Sequence, residues 1–238
     1  GDQFQGAALS NLSMGVIYVD ALNAAGLNSL TIGNHEFDWG IEHIQGFRDG
    51  DLSNGEADFP ILCANVIEKE TGKTLENFDP YAIFETNGFR VGVIGVIGKN
   101  TYNSILPANV KDYEFLDEVP VSARLAKELR TEKNCDFVIV SIHYGNEVLS
   151  RYGALPKDEA PDAIFLGHTH QEEQGFSSEI PYMQGKNNGT FVSKMVFNVE
   201  DKAVASVEME NVETKYLRNE QLDSVKLVID AGIKKYEP

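Results

Sequence analysis

Positive charge, cysteine, tryptophan and long apolar runs are all scarce in this chain. Lys and Arg number 20 against 37 Asp and Glu, a formal net charge of −17 at pH 7. A surface of that sign repels phosphate backbones and acidic membranes at long range, which disfavours general nucleic-acid binding. An anionic substrate would need positive charge concentrated locally, and a bound metal is one source of it. There are two cysteines, Cys63 and Cys135, far apart and each beside an apolar run. They read as buried free thiols, although one disulfide stays open and so does the redox compartment. No apolar run approaches the roughly 20 residues of a membrane helix. There is no repeat of 20–50 residues and no low-complexity linker. The first residues are Gly1-Asp2-Gln3 rather than an initiator Met, so they say nothing about a targeting segment.

What is present is ordinary globular composition: 238 residues, 42% hydrophobic and 24% charged, enough for one large domain with a buried core. Apolar residues at Met14, Ile17, Tyr18, Ala21, Leu22 and Ala25 predict one helix face over Ser13 to Ala25, closed by Gly26. Leu27 to Ile32 and Phe59 to Ala64 read as short buried strands. Tyr81 to Glu85 and Arg90 to Ile97 read as a hairpin around Asn87-Gly88, the strongest short hairpin signal. Val121 to Glu132 is helical by pattern. The β-branched runs Phe137 to Ile142 and Ala163 to Leu166 suit strands covered on both faces. Met195 to Val199 and Ala203 to Met209, with Glu200-Asp201-Lys202 between them, predict an antiparallel pair, and Leu222 to Ile233 a closing helix. The expected class is a single α/β domain with mixed sheets.

Three of these strands end in the same punctuation. Leu30 to Ile32 runs into Gly33-Asn34-His35-Glu36-Phe37-Asp38, Val140 to Ile142 into His143-Tyr144-Gly145-Asn146, and Ile164 to Leu166 into Gly167-His168-Thr169-His170. Four of the five histidines stand at these ends. Carboxyl ends of strands in open α/β sheets converge on the ligand crevice, so the side chains should meet. Imidazole, carboxylate and amide oxygen form a donor set suited to Zn²⁺, Mn²⁺, Fe or Co²⁺. On an extended segment His168 and His170 would face the same side and approach adjacent metal positions. His43, within a helix predicted over Ile41 to Arg48, reads as solvated surface. Trp39 and the other aromatics read as core or loop packing.

Taken in order, Gly1-Asp2, Gly33 to Asp38, His143 and Gly167 to His170 resemble the calcineurin-like metallophosphoesterase superfamily. The longer strings Gly1 to Gly6 and Gly33 to Gly40 resemble its branch of 5′-nucleotidases and 2′,3′-cyclic nucleotide phosphodiesterases. The resemblance spans residues 1 to about 200. It implies a four-layer α/β/β/α sandwich over residues 1–210, with 211–238 a helix or linker. It also implies two divalent metals and hydrolysis of a small phosphoester, most naturally a nucleotide, by a metal-bridging hydroxide. By the same resemblance Asp2 bridges both metals, Asn34, His143 and His168 serve one, and His170 serves the other. His35, beside the substrate with Asn34, stabilises the phosphoryl group or protonates the leaving oxygen, and Asp38 orients it. Export or a cell-surface location is implied as well, with the cytoplasm as the alternative.

Members also carry an Asp-x-His on the first strand, supplying two ligands of the first metal, and the pattern occurs nowhere in these 238 residues. The expectation is a natural precursor with an upstream strand bearing it. The alternative is a degenerate, non-catalytic binding protein on the same fold, and a sulfur-ester hydrolase is a minor option.

Overall fold

The computed structural model describes residues 1–200, 203–216 and 223–236. In chain order the elements are α1 (Ala8–Leu12), α2 (Val16–Ala25), β1 (Leu30–Thr31), α3 (Ile41–Gln45), β2 (Ile61–Leu62), β3 (Val66–Glu68), β4 (Tyr81–Thr86), β5 (Phe89–Ile97), α4 (Pro107–Val110) and β6 (Tyr113–Phe115). They continue with α5 (Glu118–Thr131), β7 (Phe137–His143), α6 (Leu149–Tyr152), β8 (Ala163–Phe165), β9 (Glu172–Ser177), β10 (Ile180–Gly185), β11 (Phe191–Glu200), β12 (Ala203–Glu213) and α7 (Asp223–Tyr236). None of the described helices is long and apolar enough to cross a membrane.

The large sheet has the order β4-β5-β7-β8-β10-β9. Its four central strands are parallel, and antiparallel β4 and β9 close the two edges. The Asn87-Gly88 turn joins β4 to β5 with both residues at positive φ, 51° and 80°, as a tight hairpin demands. Side chains alternate along each strand, so Val138, Val140 and Ile142 face α5 while Ile139, Ser141 and His143 face the other way. Helix α5 covers the first face with Leu125, Ala126 and Leu129. Gly92 makes room for it, since a Cβ there would lie 2.8 Å from a Leu129 methyl.

Against the second face lies the parallel pair β1–β2, so close that a Cβ on Gly95 would overlap Leu62. Beyond it a second core of Phe4, Val19, Ile32, Phe37, Phe47, Phe59 and Ile61 packs beneath α2, and α7 lies on α2 with Gly232 over Ile17. Helix, sheet, sheet, helix is the expected layering. Both cysteines are buried and free, and burial pushes the Cys63 thiol up to about 12.

Some local expectations need correction. The first predicted helix begins only at Val16, because Met14 and Gly15 turn the chain at φ 50° and 84°. Strand β9 was not anticipated: its sequence, Glu-Glu-Gln-Gly-Phe-Ser, has the polar character of a charged edge. His43 is not solvated surface. Its ring packs edge-on to Trp39 and Phe47, and Nε2 lies 2.7 Å from the Met14 carbonyl oxygen. Strand β12 continues past residue 210 to Glu213. Asp201 and Lys202 of the predicted turn, and Leu222 of the predicted closing helix, lie outside the described residues.

Candidate metal centre

The three predicted strand ends do converge. Asn34 follows β1, His143 is the last residue of β7, and His168 comes three residues after β8. Asp2 arrives from the start of the chain. The Asp2 Oδ2 atom lies 3.0 Å from His143 Nε2. Asn34 Oδ1 lies 3.1 Å from that nitrogen and 3.0 Å from His168 Nδ1, and the two ring nitrogens stand 3.3 Å apart. Asp2, His143 and His168 form the one group of three or more metal-capable side chains among the described residues. Four side chains from distant parts of the sequence thus aim lone-pair atoms at a common point. Hydrogen bonds would pair His143 Nε2–H with Asp2 and His168 Nδ1–H with Asn34 only by pointing two N–H groups into the same 3.3 Å gap between the rings, a repulsion that a shared cation removes. The oxygen and imidazole donors fit a borderline divalent cation.

The ring of His143 is held in place by what is missing around it. A Cβ on Gly1 would lie 2.7 Å from Nδ1, one on Gly33 2.8 Å from Cε1, and one on Gly167 3.2 Å from Nδ1. Only glycines leave room for the imidazole, and its Nδ1 is buried without a hydrogen-bond partner. Burial outweighs the neighbouring Asp2 and lowers the pKa of His143, favouring the neutral ring that a metal needs. Burial works in the opposite sense on Asp2, but the hydrogen bonds from His143 and from the His35 backbone prevail and hold its carboxyl far below the usual range. Both groups are therefore in their ligating protonation states.

Backbone strain marks the same spot. Asp2, His168 and His170 have φ of 62°, 72° and 59°, a region that costs non-glycine residues on the order of 1–3 kcal/mol each and persists where surroundings enforce it. The positive φ values also correct one expectation: His168-Thr169-His170 is not extended, so the alternation argument fails there. His168 joins the cluster. His170 is exposed, outside the group, with Nδ1 3.5 Å from the Asn187 amide. Asp2 and His170 are the predicted ligands of the other metal position, and of these Asp2 belongs to the cluster.

His35 and Asp38 flank the cluster as a pair, Nδ1 to Oδ2 at 2.7 Å, with the His35 side chain 47% exposed. Burial disfavours the charged ring, but the hydrogen bond to Asp38 and the charges of Asp2, Asp38 and Glu36 outweigh it, raising the pKa above its ordinary value. The ring is accordingly biased toward a proton donor.

The sequence reading assigned no role to Glu36, which organises the whole corner. It is buried, and its carboxylate accepts from Asp2 N at 2.8 Å, Gln3 N at 2.7 Å and Gly33 N at 2.5 Å. It thereby ties the strand-end loop to the segment that carries Asp2. Its position beside the apolar Phe37 in the strand-end turn was the one available signal. Glu36→Gln keeps the shape but offers one accepting oxygen instead of two, so at least one of the three donors is left unpaired. Stability should fall by roughly 2–4 kcal/mol, measured as the shift of the denaturant midpoint without added metal. A shift near zero would mean the carboxylate is dispensable.

Residues 1–172 match the calcineurin-like phosphoesterase family, and the chain belongs to that family of phosphoester hydrolases. It is 29% identical over 188 residues to cell wall protein Lmo0130 of Listeria monocytogenes, covering 67% of this chain and 24% of that protein. It is 29% identical over 253 residues to endonuclease YhcR of Bacillus subtilis, covering all of this chain and 20% of that one. The 5′-nucleotidase of Vibrio cholerae is 29% identical over 189 residues, covering 79% and 33%. The chain therefore spans between a fifth and a third of the length of these relatives. Among solved structures, the sulfate thiohydrolase SoxB of Thermus thermophilus superposes with a TM-score of 0.82 at 16% identity, covering all of this chain and 42% of that one. A 5′-nucleotidase precursor from Thermus thermophilus superposes at 0.79 with 22% identity, covering 99% and 48%. At such identities the superpositions establish the shared fold.

Proposed function

We propose that this chain is the catalytic domain of a metal-dependent phosphoester hydrolase acting on nucleotides. The observation that carries the reading is that His143 Nε2 lies 3.0–3.3 Å from atoms of Asp2, Asn34 and His168, with His168 3.0 Å from Asn34, at one rim of the sheets. These four would hold one divalent cation, and Asp2 with His170 would contribute to a second. When bound, the metals supply positive charge that polarises a phosphoryl oxygen and stabilises the charge of an in-line displacement. The chain's own groups do the rest. Asp2 stays ionised against burial, the glycine cage fixes His143, and the half-exposed His35 offers a proton to the departing alcohol oxygen while Asp38 holds its far nitrogen.

The nucleotide assignment draws on the 5′-nucleotidase relatives. The net charge of −17 favours a small phosphoester over a nucleic-acid backbone, even though one relative is named an endonuclease. An exported or cell-wall location accords with the Listeria relative.

The test is hydrolysis of a nucleoside 5′-monophosphate and of an aryl phosphate by the complete natural protein. Turnover should rise with Mn²⁺ or Co²⁺, vanish with a chelator and return on re-addition of metal, with two metal equivalents per chain. Silence toward every phosphomonoester and diester, with one metal equivalent or none, would support the degenerate binding protein. Turnover confined to a thiosulfate ester would move the assignment to sulfur.

A further inference from the structure

The rim that carries the ligands has another loop, which the metal centre does not use. Strand β5 ends at Ile97, paired in register with His143, and the Gly98 N–H donates to the His143 carbonyl at 3.2 Å. The turn Lys99–Ser104 that follows therefore stands beside the ligand loops at the carboxyl edge of the sheet. It is held rigidly. The Lys99 backbone N–H donates to the buried Glu118 carboxylate at 2.9 Å, the Thr101 hydroxyl donates to the Gly98 carbonyl at 2.7 Å, and Tyr102 packs edge-on against Phe115 at 5.7 Å. Arg151 in turn holds the other oxygen of Glu118 at 3.1 Å.

Between this turn and the β3–β6 ribbon lies a cleft of about 300 Å³, lined by Lys69, Lys99, Asn100, Asn103, Tyr102 and Glu114 among others. That is the lower end of the size range of small-molecule sites. One lining residue, Asn100, is linked to the metal centre by side-chain contacts. Asn100 Nδ2 donates to the Tyr144 hydroxyl at 3.1 Å, and the Tyr144 ring lies stacked by the His168 ring, centroids 6.4 Å apart and planes 24° from parallel. Among the described residues neither Lys69 nor Lys99 forms an ion pair. Lys69 Nζ donates to the Lys111 carbonyl at 2.6 Å and keeps two further N–H donors, and the Lys99 ammonium is exposed. The lining itself carries two ammonium groups and one carboxylate, Glu114, while Glu42 stands behind the lining residue Tyr113, whose hydroxyl donates to it at 2.6 Å. Two amides add neutral donors.

We propose that this cleft binds a second phosphate, carried on the alcohol part of the substrate, while the first phosphate reacts at the metal centre. The preferred substrate class is then a phosphoester bearing two separate phosphates, such as a nucleoside bisphosphate. In the hydrolysis the oxygen of water bonds to phosphorus as the bond to the alcohol oxygen breaks, that oxygen takes a proton, inorganic phosphate leaves, and the alcohol product retains the phosphate held by the lysines. The proposal rests on the hydrolase reading above and adds its specificity.

The experiment compares adenosine 3′,5′-bisphosphate with adenosine 5′-monophosphate on the Mn²⁺-loaded complete protein. The bisphosphate should have the lower KM. Lys69→Gln with Lys99→Gln should raise that KM by about 10- to 100-fold while leaving KM and kcat for the monophosphate unchanged, and Lys69→Arg with Lys99→Arg should retain most of the preference. Equal KM values in the wild type, or a preference that survives the glutamine pair, would overturn the cleft. A second readout separates this from failure of the hydrolase reading: thermal stabilisation of the chelator-treated protein by the bisphosphate and not by adenosine, lost in the glutamine pair. If no substrate turns over but the stabilisation follows this pattern, the hydrolase reading falls and the phosphate site stands. If the stabilisation is absent or unchanged in the glutamine pair, the site falls.

Discussion

Alanine in place of His35 will lower turnover by about 10²- to 10⁴-fold and leave bound metal at the wild-type amount. The separation follows from which atoms of His35 do what. Its backbone N–H donates to Asp2 Oδ1 at 2.9 Å, and that bond survives the substitution. Its imidazole is no part of the ligand group and is instead held by Asp38 on the open side of the site. Truncation therefore removes a proton donor and leaves the metal-binding set untouched. With the side chain 47% exposed, no large void is opened, so thermal stability should change little. The check is kcat on a phosphomonoester beside metal content by elemental analysis on the same preparation. Loss of metal along with activity would show that His35 holds the centre together, and the division of roles drawn here would be wrong.

The grouping of these side chains was largely legible before the structure. Asn34, His143 and His168 could be grouped because each ends a buried strand, and strand ends in such sheets converge whatever the loops do. The structure adds what the linear pattern does not encode. Glu36 gathers backbone N–H groups from residues 2, 3 and 33, a relation visible only once a loop and a distant segment lie side by side. Gly33 and Gly167 read as strand-end punctuation, whereas the role of both, and of Gly1, around His143 is to lack a side chain. The alternation argument for His168 and His170 fails because the period of two holds only for extended backbone, and φ values of 72° and 59° break it on either side of Thr169. His43 went astray for a related reason. Helical periodicity reports which face a residue occupies but not that Trp39 and Phe47 would enclose the ring there. Local pattern is informative where geometry is regular, and this site is built where it is not.

His143→Ala carries the larger consequence, since it should abolish activity and empty the metal centre together. His143 Nε2 is the atom nearest the middle of the set, 3.0 Å from Asp2, 3.1 Å from Asn34 and 3.3 Å from His168. Losing an outer-shell partner of a metal ligand already costs about 10- to 100-fold in affinity, so losing the ligand itself should exceed that range. Asp2 would keep its charge without the ring that now pairs with it, and the void between three glycines would add a folding penalty of roughly 2–5 kcal/mol. Metal loss and unfolding must therefore be told apart. His168→Ala does so, because that ring is only partly buried and its removal opens a smaller void while subtracting the same kind of donor. Circular dichroism should report a native fold for His168→Ala, and Mn²⁺ titration should report weakened binding. Added imidazole should restore part of the binding in His143→Ala, since the ring's Nδ1 bonds to nothing in the protein and only the glycine cage holds it. Full metal stoichiometry and unchanged affinity in both variants would dissolve the centre as drawn, leaving four converging side chains with no ion to explain them.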